Sequence, residues 1–169
     1  MKKIIIALFC ITVVFALTSK EEKILIPNDS IRFRVIANSD DEKDQQLKME
    51  IKESVEKEFN RLMLEARNIN EARTLIEQDL QNIEKIINNY NIPYQMKFGQ
   101  NYFPTKEYKG ITYEEGEYES LVITLGSGLG KNWWCVMFPP LCLLEAEENN
   151  LNDVEYKSFV QTMLKKYLE

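Results

Sequence analysis

The sequence predicts an α+β fold: a single domain in which a small, mainly antiparallel sheet packs against two long helices, followed by a C-terminal helix. Three observations carry that expectation. Residues 31–37, IRFRVIA, alternate apolar and basic side chains as a half-buried strand does. Two consecutive segments, Asp44 to Leu64 and Ala72 to Tyr90, repeat apolar residues every three or four positions, the signature of amphipathic helices. Residues 117–126, EYESLVITLG, read as a second strand, apolar on both faces toward its end and therefore central. The order strand, helix, helix, strand, strand, helix belongs to an α+β layer structure. At 169 residues, 44% hydrophobic and 28% charged, the chain is long enough to bury its own core and has a globular composition.

Taken in order, residues 1–18 begin with Lys2 and Lys3 and continue through fourteen uncharged residues, Ile4 to Leu17. A basic start and a short apolar run describe an export signal; the run is shorter than the roughly 20 residues of a spanning helix. Ala16-Leu17-Thr18 is an imperfect cleavage site, so an uncleaved anchor, a membrane tether through this segment, stays open. Cys10 lies inside the apolar run after Phe9, which disfavours a lipid anchor. Residues 19–30 form a polar linker that ends in a turn at Pro27-Asn28-Asp29-Ser30.

The domain proper is expected over residues 31–142. In the first strand Ile31, Phe33 and Val35 point inward, while Arg32 and Arg34 face out or pair with acids. Asn38-Ser39-Asp40-Asp41 stops the strand and offers oxygens to cap the first helix, whose stripe is Leu47, Ile51, Val55, Phe59 and Leu62. Asn68 or Asn70 caps the second helix, with Leu75, Ile76, Leu80, Ile83, Ile86 and Ile87 among its apolar positions; both helices are expected on one sheet face. Pro93 ends the helical region, Tyr94 to Phe98 is a short strand closed by Gly99, and residues 100–112 are a loop. After the second long strand, residues 126–142 (GSGLGKNWWCVMFPPLC) fit neither period and are expected as a specialised loop. Residues 143–169 comprise an acidic linker and a helix with Tyr156, Val160, Met163, Leu164 and Tyr167 on one face.

Several chemistries are excluded at once. There is no histidine, so neither a Ser-His-Asp nor a Cys-His nucleophile system can form, and a His-bearing zinc site is ruled out. Setting Lys2 and Lys3 aside leaves 19 basic residues against 27 acidic, a net charge of −8, the wrong sign for a nucleic-acid partner. Gly126, Gly128 and Gly130 suggest a phosphate-binding loop, but Leu125 and Asn132 stand where such a loop ending at Lys131 needs glycine and a hydroxyl. The glycines are therefore read as conformational, as are Pro139 and Pro140. No cofactor and no metal are expected.

Cys135 and Cys142 remain once the leader is set aside. Export permits a disulfide between them, worth roughly 2–3 kcal/mol as an eight-residue ring; two buried free thiols are the alternative. Trp133 and Trp134 are adjacent and in extended chain point to opposite sides, so one can be buried while the other is exposed as a contact residue; the alternative is that both rings cover the sheet end and the glycine loop. The acids Glu114, Glu115, Glu117 and Glu119 read as a solvated face, with calcium ligands or a catalytic carboxylate pair as the competing reading.

The segments IRFRVIANSDDEKDQQLKMEIKESV, FPTKEY and GEYESLVITLGSGLGKNWWCVMFPPLC, spanning residues 31–142, resemble the stage II sporulation protein R family of endospore-forming bacteria. The resemblance implies a signalling protein made in the forespore and exported into the space between forespore and mother-cell membranes. There such proteins trigger a membrane-embedded aspartic protease, stage II sporulation protein GA, which processes pro-sigma-E. A ligand of this kind is not an enzyme. Loop position and side-chain type select Asn38, Ser39 and Asp40, together with Asn132, Trp133 and Trp134, as the partner-binding residues. The competing classes are an exported peptidoglycan hydrolase using carboxylates from Asp40, Asp41 or the Glu115 to Glu119 run, and a structural envelope domain.

Overall fold

Alternation in IRFRVI places Phe33 and Val35 on one face of β1 (Ile31–Ile36) and Arg32 and Arg34 on the other, and the rest of the molecule is assembled around that strand. The computed structural model describes residues 26, 29–108, 111–142 and 153–168. The leader expected at 1–18, most of the 19–30 linker and the acidic stretch 143–150 lie outside the described residues. Beyond β1 come α1 (Glu42–Glu65), α2 (Ile69–Asn88), β2 (Tyr94–Phe103), β3 (Lys106–Tyr108), β4 (Ile111–Tyr113), β5 (Gly116–Leu125), β6 (Asn132–Phe138) and α3 (Asp153–Leu168).

The main sheet has the order β2-β5-β1-β6. Two of its pairings, β2 with β5 and β1 with β6, are antiparallel, and the central pair β1 and β5 is parallel. This is the α+β architecture with a mainly antiparallel sheet that the pattern predicts. The parallel pair has a topological cause. Two helices and β2 lie between β1 and β5, enough chain for the crossover that parallel strands require.

α1 and α2 cover one face of the sheet. Ile51, Val55, Phe59, Leu62 and Met63 from α1 and Ala72, Ile76, Ile83 and Ile87 from α2 join Phe33, Val35, Leu121 and Ile123 in a shared core. Asn68 caps α2 by accepting from the backbone N–H groups of Asn70 and Glu71 at 3.1 and 3.0 Å. Arg73 of α2 clasps Glu119 of β5 in a bidentate pair at 2.6 and 2.8 Å.

The opposite face carries a second core, and here three expectations are corrected. Residues 100–112 are not a loop. β2 continues through Gly99 (φ 145°), opposite Ser120, as far as Phe103, and the two-stranded β3–β4 ribbon follows. The arginines do not face solvent. Arg32 is fully buried, its guanidinium 3.3 Å from the centre of the Tyr118 ring, with Trp134 and Phe103 at 5.0 and 5.1 Å. Among the described residues its nitrogens make no hydrogen bond, so aromatic faces take the place of an acid. Arg34 donates to the Tyr102 carbonyl at 3.2 Å.

The third correction concerns residues 126–142, which are not one irregular loop. Asn132–Phe138 forms edge strand β6, and periodicity misses it because NWWCVMF is apolar toward both faces and shows no alternation. α3 docks on this second core through Tyr156 and Val160, while Tyr167 meets Phe138 edge-on at 5.3 Å. Among the described residues no helix is long and apolar enough to cross a membrane.

Candidate functional site

Because β1 and β5 run parallel, the segments that leave their C-terminal ends emerge side by side. These are Ala37 to Asp41 and Gly126 to Lys131, far apart in sequence, and they are laced together. Gly130 N–H donates to the Ala37 carbonyl at 3.0 Å and Leu129 N–H to the Asn38 carbonyl at 3.1 Å. Ser127 donates its backbone N–H to Asn38 Oδ1 at 2.9 Å and its hydroxyl to the Asn38 carbonyl at 2.7 Å. Lys131 N–H donates to Asp40 Oδ1 at 2.7 Å.

The glycines serve this lacing in two ways. Gly126 and Gly128 have φ of 55° and 67°, conformations that favour glycine. Gly130 has no such φ but lies against the Ser39 carbonyl, where a side chain would collide with backbone.

Asn38, Ser39 and Asp40 do not cap α1 as expected. Asp41 occupies the N-cap position with no side-chain cap bond, and its N–H donates instead to Ser39 Oγ at 3.1 Å. The Asn38 amide and Ser39 hydroxyl both donate to the Asp44 carboxylate, at 2.8 and 2.6 Å. Those two bonds hold the Asp44 carboxyl below its usual pKa. Lys48, buried at the base, donates to the Lys131 carbonyl at 3.3 Å, and burial lowers its pKa.

What emerges is a braced platform with one apolar residue at its tip. Leu129 is 84% exposed, between Gly128 and Gly130. At the same end of the sheet a cleft of about 210 Å³ is lined by residues that include Asn38, Asp44, Leu47, Ile92, Pro93 and Gly126. Asn38, Asp40 and Asn132 are exposed and Ser39 half-buried, so four of the six expected contact residues do gather at this end.

The tryptophans belong to the interior. Trp134 is only 5% exposed, packed edge-on against Tyr113 and Phe103 at 5.2 and 5.4 Å, and is withdrawn from the contact surface. Trp133, half-buried on the helix side, meets Phe33 at 5.9 Å and the Lys52 ammonium at 4.4 Å. The strand sends the two rings to opposite faces, as expected, but each face is already covered. Leu129 escaped the sequence reading, although an apolar residue between two glycines in a turn was the signal.

The other chemistry-bearing residues are committed elsewhere. Cys135 and Cys142 form a disulfide with Cα atoms 5.6 Å apart, which decides between bridge and free thiols. Among the described residues the grouping of ligand atoms closest to a metal site is Glu56 with these two cysteines, and the bridge leaves no thiolate to bind. Pro139 and Pro140 form the turn between β6 and Cys142, with a cis peptide bond at Phe138-Pro139. The Asp40 carboxylate is occupied by Lys131 N–H and that of Glu119 by Arg73, so neither is a free acid in a catalytic pair.

A family model described as stage II sporulation protein R matches residues 27–148, which include every residue of the platform. A relative named stage II sporulation protein R, from Bacillus subtilis (strain 168), is 39% identical over 158 residues, covering 89% of this chain and 70% of the relative. No solved structure matches.

Proposed function

We propose, from the premise that this chain belongs to the stage II sporulation protein R family, that it is an exported signal whose platform engages and activates a membrane-embedded protease. In this reading the partner is the aspartic protease stage II sporulation protein GA, which processes pro-sigma-E in the mother cell. The protein works from the space between forespore and mother-cell membranes, released or tethered by its N-terminal segment, and is a ligand without catalytic activity of its own.

The observation that carries the reading is the exposure of Leu129 on a loop whose backbone is held at both ends. A single exposed leucine is ordinary on a protein surface, but one held at the tip of a braced loop can dock with little loss of conformational entropy, because its support is already ordered. Asn38, Ser39, Asp40 and Asn132 form the polar rim around it. Of the carboxylates a hydrolase could draw on, Asp40 is spent on a backbone bond and Glu119 on an arginine, which weighs against a catalytic pair built from those two.

The test is reconstitution of pro-sigma-E processing by co-expression with the protease. Leu129→Asp leaves the fold intact, because that side chain is 84% exposed, and abolishes processing. Full processing by a folded Leu129→Asp protein would remove the platform from the interface, and loss of processing only when Leu64, the distant exposed leucine, is changed would move the surface there. Release of fragments from cell-wall sacculi by purified protein would favour the enzyme instead.

A further inference from the structure

On the helix side of β6, the disulfide abuts a buried ion pair that the platform does not use. Lys52 and Glu56 sit one turn apart on α1, 6% and 4% exposed, with Lys52 Nζ 2.6 Å from Glu56 Oε2. The ammonium is also held over the Trp133 ring at 4.4 Å. A carboxylate oxygen of Glu56 lies within 4.8 Å of both sulfurs, Cys135 Sγ and Cys142 Sγ.

Two details of this cluster favour protonated sulfur. Glu56 Oε1 is buried with no hydrogen-bond partner, and a buried acceptor without a donor is costly. Cys142 Sγ lies 3.0 Å from the Val136 carbonyl oxygen, a contact that becomes a hydrogen bond only when the sulfur carries a proton. A disulfide supplies no proton to either acceptor. A dithiol supplies one to the Val136 carbonyl from Cys142.

We propose that Cys135–Cys142 is a reversible thiol–disulfide centre rather than a passive staple, with Glu56 as its proton donor and acceptor and Lys52 positioning that carboxyl. The co-reactant class is a dithiol. One thiolate of the dithiol attacks a protein sulfur, breaking the Cys135–Cys142 bond and forming a mixed disulfide, and the displaced protein thiolate takes the Glu56 proton. The second reductant thiol loses its proton to Glu56 and attacks the mixed disulfide; the other protein sulfur leaves and is protonated from solvent, which received the proton of the first reductant thiol. The dithiol is oxidised by two electrons to a cyclic disulfide, and the protein gains two electrons and two protons. Reoxidation runs the same path backwards with Glu56 as base.

Burial keeps a proton on Glu56 to higher pH than on an exposed glutamate, against the pull of Lys52 and with the help of neighbouring Glu53. Those two side chains of α1 are the charged groups acting on it, and the sulfurs face it from β6 and the following turn.

The test uses the full chain with dithiothreitol, following thiols by maleimide labelling and the fold by near-ultraviolet circular dichroism between about pH 5 and 9. The disulfide is expected to be reduced and reformed with the fold retained. Glu56→Gln slows both directions by roughly tenfold or more. The ratio of wild-type to variant rate, which cancels the titration of dithiothreitol itself, varies with pH as a single titrating acid requires. Should Glu56→Gln fail to fold, the double variant Lys52→Met with Glu56→Leu replaces the buried pair by apolar side chains of similar volume, a change that commonly preserves or raises stability. A purely structural pair predicts unchanged exchange rates in that variant. Equal rates in wild type and variants, or reduction only as the fold is lost, would overturn the proposal.

Discussion

Replacing Trp134 with alanine separates an interior role from a contact role most cleanly. The indole is 5% exposed and forms one wall of the box around Arg32, with Phe103 and Tyr113 edge-on at 5.4 and 5.2 Å and the Lys106 ammonium at 4.8 Å. Truncating a buried tryptophan costs about 3–5 kcal/mol through lost transfer energy and the cavity left behind. The two edge-on ring contacts account for about 0.5–1.5 kcal/mol each of that total. Loss of the 5.0 Å Arg32 contact adds to the cost, because the guanidinium has aromatic faces where hydrogen bonds would otherwise be. For a domain of this size the melting temperature should fall by roughly 10–20 °C. Trp133→Ala, which removes a half-buried ring with one aromatic neighbour, should cost about half as much. The assay is thermal unfolding followed by circular dichroism, run beside pro-sigma-E processing at a temperature where the variant is still folded. A Trp134→Ala protein that melts within two or three degrees of wild type yet fails to support processing would refute the reasoning and return the indole to the interface.

Two further outcomes follow from the platform. Asp44 has a folded pKa below its ordinary value because Ser39 and Asn38 bond its charged form, so its contribution to stability is present at neutral pH. It is lost as pH falls below about 4, through the depressed folded value. Asp44→Asn should therefore flatten the acid limb of the stability profile, measured by denaturant midpoints from pH 7 down to about 2; an unchanged limb would contradict this. Gly130→Ala places a methyl group against the Ser39 carbonyl, which is backbone and cannot rotate aside. It should cost about 1–3 kcal/mol and reduce processing along with stability, and a variant with the wild-type melting point and full activity would show that the lacing is dispensable.

Much of this architecture was legible from period alone. The α1 and α2 stripes follow from local spacing, because a helix buries one face every 3.6 residues whatever covers it, whereas the choice of Asn68 over Asn70 as the cap needed the structure. β6 was not legible, since its residues are buried on both faces and a strand of that kind carries no alternation. Asn38, Ser39 and Asp40 read in sequence as caps for the following helix; Asn38 and Ser39 do bond Asp44 of that helix, but the side chains of Asn38 and Asp40 also accept from the backbone of Ser127 and Lys131, about ninety residues away. A cap and a long-range bridge use the same donors and acceptors, so composition cannot tell them apart.

By itself the sequence determined the class of fold, the absence of histidine chemistry and the family, each of which depends on residue identity or short-range order. Tertiary structure decided what surrounds each side chain. It turned Arg32 from an outward charge into a buried cation among rings and moved the exposed apolar residue from the tryptophan pair to Leu129. It also set a protonatable glutamate beside a disulfide from a different element. The physical reason is that burial depends on what packs from elsewhere in the chain, and a strand pattern specifies two faces without saying what will cover them.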